Sequence, residues 1–396
     1  MRSEYPLSFS YAIYFCIFIF GMQLTMLGPL LATMAETFER PLALMGVLFT
    51  LSSAGFMIAI VGGGILADRI GKKRVIAVAS MGFGICLLLF AASDWFLASA
   101  ALVFLIGGFG GVLESLLSAL VATIQQGKER AAVTLTQVFF GVGAIAGPAF
   151  AGWIVQSGIS WKYAYAAVGV LAFLSAVWLH CYRYPTVKPE ERIVSGDIAL
   201  ILRNRKFLLL CSALAIYVGV EMAVNAWTAH YFTATFRFSG GAAGYVVSIF
   251  WVVITFGRLF FSWLSLKLSN RVLIRGLALL AATGFVLQSI SYSSAAAIAS
   301  VIVIGIGLSA IWPLVVAEAG TLFSSKSSGT SFGIVISAGG IGGAVIPVVV
   351  GYLSESVSMR LLFVVFALLM AVIVLIHHFA SRPFAETVAE PQNFTS

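Results

Sequence analysis

The chain has 396 residues, of which 61% are hydrophobic and only 10% charged, whereas a soluble globular protein has about 25% charged residues. This composition excludes an ordinary soluble protein and predicts a polytopic membrane protein. The net charge of +8 is typical of some nucleic-acid-binding proteins, but the basic residues lie in short segments between apolar runs, so no nucleic-acid partner is expected.

Twelve apolar segments are long enough to cross a bilayer as helices, since one span needs about 20 mostly apolar residues. Their predicted limits are 9–34, 42–66, 74–93, 97–125, 132–156, 162–183, 207–232, 242–266, 272–292, 296–318, 330–354 and 359–380. A polar segment separates the first six spans from the last six. We therefore predict an all-α membrane protein with six-helix bundles at 1–184 and 207–396, the second ending in a short tail, and a cytoplasmic linker at 185–206.

Lysine and arginine residues are concentrated in alternate loops, mainly those after the second, fourth, sixth and eighth spans. Because loops rich in these residues stay in the cytoplasm, this asymmetry predicts that both termini are cytoplasmic. The expected location is the cell membrane, where the chain would lie in the lipid bilayer as a multi-pass monomer.

The fourth predicted span combines four glycines at 107–111 with a single carboxylate at Glu114. In a membrane helix, glycines remove side-chain bulk and allow a neighbouring backbone to come close. A carboxyl group in hydrocarbon is costly, so Glu114 should face the protein interior or a water-filled space, where its neutral form is favoured. We predict that Glu114 is a proton-coupling site; the alternative is a structural glutamate held by an arginine or a hydroxyl group.

The two halves of the chain share a glycine and proline pattern. The sequence Gly-x4-Pro-x3-Gly begins at Gly143 in the fifth span and again at Gly342 in the eleventh. Two parallel six-helix halves are a known layout of membrane transporters, whose substrate binds between the halves near the middle of the membrane. The repeat therefore predicts two pseudo-symmetric bundles around a central site.

Residues 64–74, between the second and third spans, read GILADRIGKKR. Gly64 should let two helices cross closely, and Gly71 should permit a sharp turn. Asp68 can pair with an arginine or cap a helix N-terminus. This loop resembles the signature of the major facilitator superfamily. In that superfamily the loop latches the two halves in the outward-open state. The similarity to the superfamily as a whole extends over nearly the whole chain. The residues assigned to this conformational motif are Gly64, Asp68, Arg69, Gly71, Lys72 and Arg74.

Four short patches resemble the fucose–proton symporter branch of the superfamily, whose members take up monosaccharides. The patches are GGVLE at 110–114, LTQ at 135–137, YVGVE at 217–221 followed by Trp227, and WP at 312–313 with SGTSF at 328–332. In that branch the helix-4 glutamate carries the proton, so the resemblance implies this role for Glu114. It also implies proton-coupled uptake of a small polar solute, in the first place a monosaccharide, by alternating access.

The fold of this superfamily places the substrate between helices 1, 4, 5, 7, 8 and 10. Glu221 aligns with Gln23 when the two halves are compared, so both are candidates to face the substrate. The alternatives for Glu221 are to share the proton, to stabilise an unwound helix, or to make a structural hydrogen bond to a neighbouring helix. Asparagine and glutamine bond hydroxyl groups, and tryptophan can stack on a sugar face while donating one hydrogen bond. Each tryptophan has the alternative role of a core or interfacial residue. The residues assigned to the substrate site are Gln23, Gln137, Glu221, Asn225, Trp227, Trp251 and Trp312.

Two features differ from the fucose symporter pattern. The first span offers Gln23 where the symporter has an aspartate, and no Asn-Pro pair follows Glu114.

The segment GAIAGPAFAG at 143–152 also resembles the helix-5 motif of proton-driven exporters, with Ala151 in place of one glycine. The alternative function is therefore a proton antiporter that exports drugs or amphipathic metabolites. Sodium is the alternative coupling ion.

Arg258 lies inside the eighth predicted span, where a charged side chain needs a carboxylate or carbonyl partner. Glu318, near the cytoplasmic end of the tenth span, is the candidate partner, and the pair would act as a cytoplasmic gate or a structural lock. His377 lies at the end of the last span and should be solvated. The sequence shows no metal-ligand cluster, phosphate loop or nucleophile triad, so we expect neither an enzyme nor a cofactor.

Overall fold

The computed structural model describes residues 5–125, 128–182, 184, 201–323 and 325–380, which form helices joined by short connections. The first six helices are α1 (Leu7–Thr37), α2 (Leu42–Ile70), α3 (Lys72–Ala92), α4 (Phe96–Ile124), α5 (Glu129–Gln156) and α6 (Trp161–His180). The second six are α7 (Arg205–Phe236), α8 (Gly240–Leu264), α9 (Asn270–Ser289), α10, α11 (Ser325–Leu353) and α12 (Met359–Ala380). Helix α10 has two parts, α10a (Ser294–Leu308) and α10b (Ile311–Gly320).

The described residues contain 12 helical segments long and apolar enough to cross a membrane, with α10a and α10b forming one of them. The all-α class and the predicted number of spans are therefore confirmed. Most of the predicted linker at 185–206 lies outside the described residues, and α7 begins at Arg205. The domain limits stay predictions.

The tenth span is interrupted at Ser309 and Ala310, which the hydrophobic pattern did not predict. Pro313 lies in the first turn of α10b and lacks the N–H that would bond to Ser309 O in a continuous helix. Ser309 O instead accepts a hydrogen bond from Arg258 Nε of α8 at 3.3 Å. At the break, a charged side chain thus takes the place of a backbone donor.

The repeated glycine and proline pattern makes equivalent contacts in the two halves. A β-carbon at Gly143 of α5 would overlap the carbonyl oxygen of Phe18 on α1, and one at Gly342 of α11 would overlap that of Ala215 on α7. Helix α5 also packs on α8, as α11 packs on α2. Each half therefore uses its copy of the pattern to bring helix backbones together, and the two pseudo-symmetric six-helix bundles are confirmed.

The glycines of α4 bring α2 close, as predicted. A β-carbon at Gly107 would overlap the carbonyl oxygen of Ser52, and one at Gly111 would lie 2.7 Å from that of Phe56. Glu114 follows on the same helix about one turn later. This packing therefore holds in place the backbone that carries the predicted proton site.

The two bundles are in contact at the end of the molecule that carries the α1–α2 connection at Arg40, which we call the far end. There Gly28 of α1 packs against the backbone of Asn225 on α7. A β-carbon at Gly46 of α2 would lie 3.1 Å from the α-carbon of Val348 on α11. Helices of opposite bundles therefore meet here at backbone distance.

The opposite end of the molecule carries the α2–α3 turn, and we call it the basic end. Gly71 has a φ of 94° there, which confirms the predicted sharp turn. β-Carbons at Gly62 and Gly64 would have no described neighbour within 4 Å. Among the described residues, the expected close crossing at Gly64 is therefore not made in this conformation.

Replacing Gly46 by leucine is expected to drive the bundles apart at the far end, because the larger side chain has no room beside α11. Gly62→Leu, on the same helix, is the matched control, since that position has no described neighbour within 4 Å. Spin labels on cysteines that replace Arg40 and Ser356, one on each bundle, would report the separation by pulsed electron paramagnetic resonance. We expect a longer distance for Gly46→Leu alone; wild-type distances in both variants would contradict this role of Gly46.

Candidate functional site

Three side chains of the second bundle form a buried cluster near its centre. Arg258 Nη2 of α8 lies 3.2 Å from Glu221 Oε1 of α7, and the two side chains are 19% and 5% exposed. The Tyr217 hydroxyl, one turn earlier on α7, lies 2.7 Å from the same carboxylate oxygen. A buried ion pair is tolerated when further hydrogen bonds satisfy its remaining polar atoms, as Tyr217 and Ser309 O do here.

The predicted pair between Arg258 and Glu318 is wrong. Glu318 lies in the last turn of α10b, and its two oxygens lie 3.0 Å from Lys206 Nζ and 2.9 Å from His377 Nε2. Arg258 reaches α10 only at the break, well before Glu318. His377 is fully buried, so its predicted solvation is also wrong. The groups expected to form one cytoplasmic gate therefore belong to two separate clusters.

Glu114 belongs to the first bundle and is surrounded by protein, yet its side chain keeps some accessible surface. It therefore faces the space between the bundles rather than lipid. Within the described residues it makes no hydrogen bond and no ion pair. It does interact through space with Arg258 of the opposite bundle. Arg258 is thus bonded to one acid and electrostatically coupled to a second.

The two predicted glutamines lie in the first bundle. Gln23 of α1 is buried, with 4% of its surface exposed, and Gln137 of α5 is partly exposed. Neither side chain makes a hydrogen bond within the described residues. Both amides are therefore available to a polar ligand, and their contact with substrate stays a prediction.

Asn225 and Trp251 are joined by a hydrogen bond across α7 and α8. Trp251 Nε1 donates to Asn225 Oδ1 at 2.8 Å, and both side chains are buried. The Trp251 ring packs edge-on against Phe140 of α5, with ring centroids 6.2 Å apart. Asn225 Nδ2 has no acceptor among the described residues. The pair therefore joins the two bundles and keeps one buried donor unsatisfied.

The remaining predicted tryptophans lie in different places. Trp227 is fully buried in the far-end contact, where its Nε1 donates to Pro347 O at 2.9 Å and its ring packs against Gly46 and Gly351. Trp312 lies in the first turn of α10b and is partly buried. Trp227 thus contacts the opposite bundle in this conformation. A substrate role for either residue stays a prediction.

The conformational motif at the basic end is only partly described. Arg69 and Arg74 are exposed, and Lys72 is partly buried at the start of α3. The side chain of Asp68 lies outside the described residues, so its predicted partner is untested. The structure therefore places this loop at the basic end and does not test the predicted latch.

Tyr217 and the carbonyl groups of the α10 break were not assigned to the site from the sequence. The available signals were a tyrosine one helical turn before Glu221 and a proline inside an apolar span. Neither signal identifies a partner, because the contacts join α7, α8 and α10. Only the three-dimensional structure shows that the break in α10 is bonded to the central cluster.

The described residues form twelve spans in two pseudo-symmetric bundles, and this architecture defines a membrane transporter of the two-bundle class. The family profile of the Major Facilitator Superfamily matches residues 13–317 and again 209–394. The chain therefore belongs to the Major Facilitator Superfamily and is a transporter, not an enzyme.

Several known proteins are similar to the chain. A TsgA homolog of Yersinia enterocolitica is 26% identical over 274 residues, which cover 67% of each chain, so the match spans about two thirds of this relative. A D-xylose–proton symporter has a TM-score of 0.81 at 15% identity and covers 95% of this chain and 97% of its own. A variant of the E. coli fucose:proton symporter FucP has a TM-score of 0.68 at 17% identity, with 94% and 98% covered. These structures confirm the expected similarity to sugar symporters at the level of the fold.

Proposed function

We propose that the chain is a proton-coupled importer of a small polar solute, in the first place a monosaccharide. The observation that carries this proposal is the state of Glu114. It faces the space between the bundles without a hydrogen-bond or ion-pair partner among the described residues, while Glu221 is neutralised by Arg258. An unpaired carboxyl group in such a place can bind and release a proton as the bundles alternate.

Arg258 supplies the coupling between the proton and the bundles. When Glu114 is ionised, it attracts Arg258 across the space between the bundles and competes with Glu221 for it. When Glu114 is protonated, that attraction is lost and Arg258 remains with Glu221. Protonation therefore changes the free energy of bringing α4 toward α8, which is the differential interaction that a conformational shift requires.

The polar groups around the two acids suit a hydroxylated solute. Gln23 and Gln137 offer free amides, which can both donate to and accept from hydroxyl groups. Trp312 offers an aromatic face and an indole N–H next to the break in α10. Fucose and xylose are named for two symporters of the same fold, and monosaccharides are therefore the first class to test.

The conformation and location follow from the same features. Lysine and arginine residues concentrate at the basic end, which we therefore assign to the cytoplasm. With the bundles in contact at the far end, this is an inward-facing state of a monomer in the cell membrane, with both termini cytoplasmic. The solute would be released from it into the cytoplasm.

Addition of the transported sugar to deenergised vesicles is expected to make the external medium more alkaline, because protons enter with the solute. A pH electrode would follow vesicles in sodium-free buffer during additions of xylose, fucose and other monosaccharides. Protein-free vesicles and a protonophore serve as controls. Acidification would instead support the antiporter that exports drugs or amphipathic metabolites. Sugar uptake that occurs only after sodium is added, with no change in pH, would remove the proton from the mechanism.

A further inference from the structure

We propose that Tyr217 is a positioning residue whose hydroxyl proton transmits the charge state of Glu221 to the break in α10. This inference rests on the proposed function for the role of the central acids, but its test needs no substrate. Tyr217 is fully buried on α7, and its hydroxyl connects a charged carboxylate to a backbone carbonyl on another helix.

The Tyr217 hydroxyl has one proton and two acceptors at nearly equal distance. Its oxygen lies 2.7 Å from Glu221 Oε1 and 2.8 Å from Leu308 O. A hydroxyl group donates one hydrogen bond at a time. An ionised carboxylate is the stronger acceptor, so the hydroxyl donates to Glu221 while this acid is charged. When Glu221 loses its charge, the hydroxyl donates to Leu308 O instead.

The two carbonyl groups at the break are both held by the central cluster. Leu308 O faces the Tyr217 hydroxyl, and Ser309 O accepts from Arg258 Nε at 3.3 Å. Pro313 cannot supply a backbone donor to Ser309 O. The connection between α10a and α10b is therefore held by Tyr217 and Arg258, which also bond to Glu221. Any change at Glu221 alters both of these hydrogen bonds to the break.

A change at the break moves the whole of α10b. Trp312, a predicted substrate contact, lies in its first turn, and Glu318 in its last turn is tied to α7 and α12 through Lys206 and His377. When Glu221 gains a proton, Tyr217 donates to Leu308 O and tightens the break. A change in the charge of Glu221 therefore reaches both the predicted substrate contact Trp312 and the basic end.

The groups that act on the Glu221 carboxylate are few. Tyr217 lies on its own helix and Arg258 on α8, and Arg258 is in turn coupled to Glu114 of α4. Among the described residues, α1, α10, α11 and α12, which also pack on α7, add no further charged or titratable group to it. Glu318, at the other end of α10b, lies with Lys206 and His377 and is the same in wild-type and Tyr217→Phe protein. The part of the pH response that Tyr217→Phe loses therefore reports the Glu221 cluster.

Hydrogen–deuterium exchange of residues 305–321 in the substrate-free protein tests the proposal. After correction for the intrinsic pH dependence of exchange, wild-type protein is expected to exchange more slowly at the break at acidic pH than at alkaline pH. Tyr217→Phe should lose this difference. Tyr231→Phe is the matched control, because Tyr231 is equally buried on α7 and its hydroxyl interacts with Arg360 and Gln288 rather than with Glu221.

Retention of the wild-type pH difference in Tyr217→Phe, or its loss in Tyr231→Phe as well, would overturn the proposal. If Tyr217→Phe does not fold, Glu221→Gln provides a second test, since it should exchange like acidic wild-type protein at every pH. Exchange like alkaline wild-type protein would count against the proposal. A failure of proton-coupled transport would leave these results unaffected, so the two proposals can fail separately.

Discussion

Replacement of Glu114 by glutamine (Glu114→Gln) is expected to abolish proton-driven accumulation of solute in proteoliposomes while sparing exchange between equal pools. Glutamine keeps the size and polarity of the side chain but cannot bind or release a proton in this range. Exchange needs only that the bundles alternate with solute bound, whereas accumulation needs the proton gradient. The accumulation ratio should therefore fall to one, with exchange close to the wild-type rate.

Glu318→Gln is the matched control, because it makes the same chemical change in an acid that is held by Lys206 and His377. We expect this variant to retain accumulation. Unchanged accumulation in Glu114→Gln would remove Glu114 from the mechanism. Loss of exchange together with accumulation would instead indicate that Glu114 binds the solute or supports the fold.

Arg258→Leu is expected to destabilise the folded protein strongly, because it leaves the Glu221 carboxylate buried and without its counter-ion. Removing one partner of a buried ion pair costs about 3–5 kcal/mol. The double variant Glu221→Gln with Arg258→Gln removes both charges, and most of the lost stability should return. Thermal unfolding of the purified variants would measure this. Coupled accumulation should be absent in both, since no cation remains to respond to Glu114.

Lys206→Gln is the control for this comparison, because Lys206 forms an ion pair with Glu318 in which its own side chain is 28% exposed. Partly exposed pairs contribute less, about 0–1 kcal/mol for pairs at a surface. A loss of stability in Arg258→Leu no larger than that in Lys206→Gln would show that the central pair contributes little. In that case, competition between Glu114 and Glu221 for Arg258 could not drive the movement of the bundles relative to each other.

Part of the central site was accessible from the sequence. Acids inside apolar spans are rare and costly, so Glu114 and Glu221 stand out without any structure. The sequence did not show that the two acids differ: Glu114 makes no hydrogen bond or ion pair within the described part of the chain, whereas Glu221 is paired with Arg258. Which acid receives the arginine depends on the rotation and offset of α4, α7 and α8 against one another. These offsets are set by side-chain packing over whole helices.

The sequence by itself determined the spans, the two bundles and the close helix packing at Gly107 and Gly111. Each depends on local composition, since bilayer thickness sets the apolar length and close backbone contact needs glycine. Only the tertiary structure decided that Arg258 serves Glu221, that His377 is buried and that Trp227 lies in the far-end contact. These facts depend on distances between helices far apart in the chain, which no local pattern of apolar residues encodes.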